Sequence, residues 1–176
     1  MRFPSRAPAP PAEVLERAGL DTGERPLAHA QARDGSWLIG TRGRLLLVLA
    51  GVAAGDAVVS LPWEQVEAAD WDRDAERLRV SEVGEYGRPR ASYAFDVGDP
   101  RLLLQLVRER VTHSVVLQRR VAVRGRKGFS VIGRRNPVGG HIRWMHEYDL
   151  GVDPTDPEVQ RLADAALREA RAEVGE

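Results

Sequence analysis

Residues 37–50, WLIGTRGRLLLVLA, form the most strongly patterned stretch of this 176-residue chain. The Arg42-Gly43 pair is a turn signal between two apolar segments, Trp37–Thr41 and Arg44–Ala50, and this arrangement predicts a β-hairpin. Because the second segment is apolar at consecutive positions, we expect its strand to be buried on both faces. The sequence therefore predicts a sheet that is covered on both sides.

Turn residues at short spacing indicate further strands on either side of this hairpin. We predict strands over residues 25–33, 57–61, 66–71, 77–83 and 90–97. A short helix is expected before them, from Ala12 to Ala18, ending at Gly19 because glycine is favoured just after a helix. Asp99 and Pro100 then begin a second helix with an N-cap and a proline at its first position.

Beyond residue 113 the apolar period returns to two, which predicts a three-stranded antiparallel meander over residues 115–124, 129–135 and 141–150. Asp156-Pro157 begins a final helix that runs to about Glu173. We therefore predict a disordered tail over residues 1–11, a strand-rich domain over 12–113 and a meander-plus-helix unit over 114–176. The last unit either packs on the same core or folds as a separate one.

Seven short strands followed by one amphipathic helix are the element order of pleckstrin-homology-like and GRAM-like barrels. Residues 24–113, above all WLIGTRGRLLLVLA followed by VVSLPWEQVEAADWD at 58–72, resemble that superfamily in topology and patterning. The resemblance implies an α+β fold in which a seven-stranded antiparallel PH-like β-barrel, or a strongly bent sheet, is closed by a helix. No lipid-headgroup motif of the superfamily carries over to residues here. Residues 110–170, which begin RVTHSVVLQRRVAVRGRKGFSVIGRRNPVGG, resemble a group of uncharacterised actinobacterial proteins. That resemblance implies no activity.

The composition narrows the class of protein. Apolar residues make up 43% of the chain and charged residues 30%, as in an ordinary globular domain. There is no cysteine, which excludes disulfides, thiolate metal sites and cysteine nucleophiles and favours a reducing compartment. The longest apolar stretch, Leu45–Ala54, is about half the length that a transmembrane helix needs. We therefore expect a cytoplasmic protein without a transmembrane segment.

The net charge is zero, but it is unevenly distributed. Residues 101–143 carry 11 basic groups and one acidic group, whereas residues 144–176 carry 3 basic and 9 acidic groups. This basic excess predicts an arginine-rich hairpin that could bind nucleic acid or an anionic membrane surface. The candidate polyanion-binding residues are Arg120, Arg124, Arg126, Lys127, Arg134, Arg135 and Arg143. Alternatively, the acidic segment folds back and neutralises part of the patch, which is the interpretation we favour.

Three motifs suggest chemistry but lack a required element. Asp70-x-Asp72-x-Asp74 begins like a calcium loop, yet Ala75 and Ser81 stand where the loop needs glycine and glutamate. Ser130 has the wrong glycine spacing for a nucleophile elbow. His146 shares a strand face with apolar residues, which favours a core histidine over a metal ligand. We predict no catalytic residue, no metal site and no cofactor.

The sequence thus favours a non-enzymatic binding or scaffolding module that recognises a protein partner through its surface. Polyanion binding through the arginine-rich hairpin is the alternative, with RNA, DNA or anionic lipid as the ligand. An enzyme whose site assembles from scattered residues stays open as a third reading.

Overall fold

The computed structural model describes residues 8–51, 58–84 and 89–176. In these ranges the chain forms three helices and ten strands, and the strands form three antiparallel sheets. The fold is a mixed α+β fold rich in strand, as predicted. The chain divides into two compact units, Met1–Thr112 (unit 1) and His113–Glu176 (unit 2).

Unit 1 begins with helix α1 (Ala12–Ala18), which ends at Gly19 with a left-handed φ of 61°. Both bounds are those predicted from the sequence. The first sheet follows, with its strands paired antiparallel in chain order. These strands are β1 (Ala28–Gln31), β2 (Trp37–Gly40), β3 (Arg44–Val48) and β4 (Val58–Pro62).

Strand β3 is buried on both faces, which confirms the prediction from its continuous apolar run. On one face Leu45 and Leu47 join the main core of unit 1. On the other face Leu46 and Val48 pack with Trp37 and with α1. The short first helix is therefore the cover on the outer side of the first sheet.

The second sheet of unit 1 consists of β5 (Val66–Asp72), β6 (Arg77–Glu82) and β7 (Ser92–Asp96). It is followed by helix α2 (Arg101–Ser114), whose buried residues share one core with both sheets. A 3-10 turn, Trp63–Gln65, joins β4 to β5. Its Trp63 is fully buried and donates from Nε1 to the carbonyl of Thr41 at 3.1 Å.

The seven strands of unit 1 form two separate sheets, of four and three strands. We expected a closed barrel or a single strongly bent sheet. Among the residues that the structure describes, no strand pairing closes these sheets into a barrel. The chain passes from one sheet to the other at Pro62-Trp63. Pro62 has no amide hydrogen to donate to a neighbouring strand, so β4 ends there. The side chain of the next residue, Trp63, is buried in the core.

Unit 2 is a meander of β8 (Val115–Arg124), β9 (Lys127–Arg134) and β10 (Arg143–Tyr148), with β9 in the centre. Helix α3 (Pro157–Val174) follows and is capped by Asp156, whose side chain accepts from the Glu158 amide at 2.8 Å. The predicted meander, cap and helix are all present. The core of unit 2 packs Phe129 and Val131 of β9 with the alanine-rich side of α3.

Part of the predicted tail over residues 1–11 lies outside the described residues, as does Ala57, where the fourth strand was expected to begin. In the described part of the chain, no helix is both long enough and apolar enough to cross a bilayer.

Candidate functional site

The arginine-rich hairpin lies at the β8–β9 turn of unit 2. The pairing of β8 with β9 ends at Arg124 opposite Lys127, so Gly125 and Arg126 form the turn itself. Gly125 has a φ of 60°, a conformation that glycine adopts without strain. Arg120 and Arg124 both fall on the exposed phase of the alternating burial along β8, as the apolar period of two predicts, although the pairing register with β9 shifts between Ala122 and Arg124.

Acidic residues of the C-terminal segment neutralise part of this hairpin. The Arg120 guanidinium binds the Asp149 carboxylate, with Nη1 to Oδ1 at 3.0 Å. Arg124 lies 3.5 Å from the carboxylate of Asp156. The hydrogen bond from Arg120, together with one from the Gly128 amide, lowers the pKa of Asp149. The partial neutralisation that we favoured is thus seen at two of the seven residues.

Arg119, the neighbour of Arg120, is also paired, although it was not among the predicted residues. Its two terminal nitrogens reach Glu169 at 2.7 Å and Glu173 at 2.6 Å. These two glutamates lie one helical turn apart on α3, so a single guanidinium can bind both. Arg119 therefore ties β8 to the last turns of α3.

The remaining predicted residues do not form one patch. Arg134 is buried, with 9% of its surface exposed. Arg143 pairs with Arg134 at the far end of β9, and Arg135 follows directly. Eight residues of β9 place that end about 23 Å from Lys127. The exposed cations are therefore split between two ends of the sheet, Arg126 and Lys127 at one end and Arg135 and Arg143 at the other.

Unit 1 contains a groove that sequence reasoning missed. It has a volume of about 470 Å³ and lies between the end of β5 and helix α2. The lining side chains are Trp71, Arg73, Arg101, Leu104, Gln105, Arg108 and Glu109. Trp71 and Leu104 supply apolar surface, and three arginines stand against one glutamate. The groove is thus apolar within and mainly cationic in its charged lining.

Several of these side chains are held in place by contacts within the groove. The Arg73 guanidinium lies 5.9 Å from the centre of the Trp71 ring, within cation–π range. Gln105 donates to Glu109 at 2.9 Å. Asp99 binds Arg101, and this hydrogen bond lowers the pKa of Asp99 and raises that of Arg101. Contacts with neighbouring side chains are therefore present at several lining residues before any ligand binds.

Arg108 stands apart from that network. It is exposed, and no ion pair to it is found among the residues that the structure describes. The indole Nε1 of Trp71 is buried and has no hydrogen-bond partner in the same part of the chain. The exposed Arg108 cation could therefore bind a carboxylate of a segment lying in the groove, whereas the buried indole nitrogen is out of reach of such a segment.

The sequence did hold a signal for the helical wall of this groove. Four of the lining residues follow one another at intervals of three, one and three, so they share one face of a helix. They are Arg101, Leu104, Gln105 and Arg108. The position of Trp71 opposite that face depends on the way the second sheet packs on α2. That packing could not be derived from local spacing.

The three incomplete motifs take structural roles. The Asp72 carboxylate accepts from the amides of Asp74 and Ala75, so it closes the β5–β6 turn. Ser130 is buried within β9. His146 packs edge-on to Phe129 and stacks with Tyr148. Within residues 8–51, 58–84 and 89–176 no group of three or more histidine or carboxylate side chains could hold a metal ion.

Comparison with known proteins adds no family to this geometry, because the chain matches no protein-family profile, no curated protein and no solved structure.

Proposed function

We propose that this chain is a non-enzymatic binding module that recognises a protein partner, and that the groove of unit 1 is the binding surface. The observation that carries the proposal is the groove itself, where Trp71 and Leu104 form an apolar interior beside the cation of Arg108. Aromatic and arginine side chains together are typical of the residues that dominate protein–protein binding energies.

The fold supports an interaction role by analogy. Four strands, then three strands, then a helix that packs on the core of both sheets is the order we associate with pleckstrin-homology-like and GRAM-like barrels. We propose that unit 1 is a PH-like unit on the strength of that order. Since one fold hosts many functions, the groove and not the fold defines the ligand.

The chemistry of the groove indicates the partner. Its volume suits a few side chains of an extended or helical segment, not a whole domain face. The apolar interior would take one aliphatic or aromatic side chain, and the arginines favour carboxylates beside it. We therefore propose an acidic partner segment with one apolar anchor residue.

Selection from a displayed library of random peptides tests the proposal. We expect enrichment of peptides that combine carboxylates with one large apolar residue. Arg108→Glu should weaken the selected peptides about tenfold and Trp71→Ala at least as much. Binding is measured by fluorescence anisotropy with labelled synthetic peptides, after circular dichroism has shown that each variant is folded.

Arg168→Glu is the matched control, because Arg168 is an exposed arginine on helix α3 of unit 2. It makes the same change of charge at a distance from the groove residues in sequence and should leave peptide affinity within about twofold. Selected peptides that bind the Arg108→Glu and Trp71→Ala variants as tightly as the unaltered chain would remove the groove as the site.

Polyanion binding through the hairpin is a second candidate, supported by the exposure of Arg126 and Lys127. Two phosphate contacts predict that log affinity for RNA or DNA falls with log salt at a slope of about −2. All seven predicted residues acting together would give a slope of about −6. Anisotropy with labelled random-sequence RNA and duplex DNA, at several salt concentrations, separates the two values.

A further inference from the structure

Leu150 of unit 2 is an exposed apolar side chain at an unusual place. It has 93% of its surface exposed, the most among the large apolar residues that the structure describes. It lies in the turn after β10, where the Val152 amide donates to the carbonyl of Asp149 at 3.0 Å. Gly151 takes a φ of 87° in this turn, which a glycine adopts without strain. The fold thus holds a leucine at the corner of a tight turn.

The neighbouring residue fixes this turn beside the β8–β9 turn. The Asp149 amide donates to the Gly128 carbonyl at 3.0 Å, and the Asp149 carboxylate accepts from the Gly128 amide at 2.8 Å. The ammonium of Lys127 lies 3.1 Å from the position that a Cβ on Gly151 would occupy. We call residues 124–127 together with residues 149–152 the unit 2 tip.

The charge of the unit 2 tip is positive where it is not internally paired. Asp149 is bound by Arg120, and Asp156, which follows the tip, caps α3 and lies near Arg124. Arg126 and Lys127 are exposed, and no ion pair to either is found in the described part of the chain. The unit 2 tip therefore combines a protruding leucine with two exposed cations, of which Lys127 is close enough to add to the interactions of Arg120 and the Gly128 amide with Asp149.

We propose that the unit 2 tip docks reversibly on an anionic lipid membrane, with Leu150 entering the interface and Arg126 and Lys127 contacting lipid phosphates. Moving an exposed leucine side chain out of water is favourable. The boundary between lipid headgroups and acyl chains offers an apolar environment for it, whereas a nucleic-acid phosphate backbone does not. The unit 2 tip also lacks an aromatic ring on which a nucleic-acid base could stack. These observations favour lipid over RNA as the ligand of this surface.

Two cations and one leucine predict weak binding that needs both elements. Transfer of one leucine side chain from water changes the membrane partition coefficient roughly tenfold. Each basic residue near an anionic surface changes it about fivefold. Docking of this site therefore differs from the protein binding proposed for unit 1 in its residues, its ligand and its salt dependence.

Flotation of the full chain with lipid vesicles tests the proposal. We expect binding to phosphatidylcholine vesicles that contain about 30% phosphatidylserine, and little binding to phosphatidylcholine alone. Leu150→Ser should lower the partition coefficient roughly tenfold. Val138→Ser is the matched control, since Val138 is another exposed apolar residue of unit 2, at 56%, in the turn that precedes β10. It should change partitioning less than twofold.

A second matched pair tests the charges. The double variant Arg126→Gln with Lys127→Gln should lower partitioning roughly twentyfold. The control is Arg135→Gln with Arg143→Gln, which removes the same charge at the far end of β9. It should lower partitioning less. Absence of binding to the anionic vesicles would overturn the proposal. So would equal losses for the two double variants, or binding to RNA that depends on Arg126 and Lys127 while Leu150→Ser leaves vesicle binding unchanged.

Discussion

The cores of the two units differ in the size of their buried side chains. The core of unit 1 contains large side chains with 0% exposure, among them Trp63, Leu45, Leu47 and Leu78. The core of unit 2 sets Phe129 and Val131 against alanines on α3. Because hydrophobic stabilisation follows the apolar area removed from water, each residue of the unit 1 core contributes more on average.

Largely exposed ion pairs occur in both units, for example Arg77 with Asp96 in unit 1 and Arg119 with Glu169 in unit 2. In unit 2 the strands bear arginines that reach carboxylates on α3 or in the loop before it, and these pairs are largely exposed. In unit 1 the most enclosed pair is Glu24 with Arg44, whose side chains are 12% and 21% exposed. The two units therefore differ in their buried parts: unit 1 has the larger buried side chains and one enclosed ion pair, whereas the unit 2 pairs named above are all exposed enough for salt to screen them.

The largest effect is expected from Trp63→Ala in unit 1. The change removes a fully buried indole and leaves the Thr41 carbonyl without its donor, so it should cost about 4 kcal/mol. Phe129→Ala in unit 2 should cost about 3 kcal/mol. Hydrogen exchange measured in β3 and β9 reports the two losses separately. A larger loss for Phe129→Ala would break the comparison of the two cores.

Gly128→Ala tests how tightly the unit 2 hairpin is built. A Cβ on Gly128 would lie 1.9 Å from the Val121 carbonyl oxygen, and backbone atoms cannot move aside as a flexible side chain can. We expect a loss of about 3 kcal/mol in urea unfolding. Gly125→Ala, in the turn of the same hairpin and with open space around it, should cost only about 1 kcal/mol for its positive φ. Equal losses would mean that the hairpin yields at Gly128.

Glu24→Gln tests the enclosed pair of unit 1. Glu24 accepts hydrogen bonds from Thr41 at 2.6 Å and from Arg44 at 2.6 and 3.1 Å, and the bonds from Arg44 are the main cause that lowers its pKa to about 2. We expect a loss of about 2 kcal/mol at neutral pH.

The sign of its pH dependence follows from linkage. The folded pKa lies below the value of 4.5 for a free glutamate, so the stabilisation is present above pH 4.5 and is lost as the pH falls towards 2. The difference between the unaltered chain and Glu24→Gln should therefore disappear near pH 2 in urea titrations. A difference that stays constant with pH would contradict the role of the charge.

The smallest effect is expected where Arg119 meets α3. Glu169→Gln with Glu173→Gln removes both carboxylates from an arginine whose partners are more than half exposed. We expect a loss of about 0.5 kcal/mol that vanishes in about 1 M salt. Thermal unfolding at low and high salt measures it. A loss larger than that of Glu24→Gln would reverse our ranking of the enclosed and the exposed pairs.

Signals between neighbours in sequence predicted where the helices and strands lie. They could not predict which side chains pack together across the fold. The end of α1 at Gly19 and the cap of α3 at Asp156 depend on neighbours in sequence, and both were predicted. The sequence did not show that Leu103 and Leu106 of α2 are buried. A Cβ on Gly40 would lie 2.5 Å from Leu106, so a glycine on a distant strand makes room for them.

The candidate sites show the same limit. The sequence located the basic excess and the acidic segment that follows it, but it did not show which arginine pairs with which carboxylate. Arg120 meets Asp149 because β8 pairs with β9 and the next loop returns to Gly128, a contact between residues 29 positions apart. Predicting the groove of unit 1 would have required knowing which face of α2 meets the second sheet.

The measurement that tests the proposed binding function most directly is photo-crosslinking in the cells that naturally express the chain, from a photoreactive residue in place of Gln105. We predict one discrete adduct with another protein, lost when Trp71→Ala or Arg108→Glu is added and absent when the photoreactive residue replaces Arg168. No adduct, or the same adducts from both positions, would contradict the claim that the groove of unit 1 binds a protein partner.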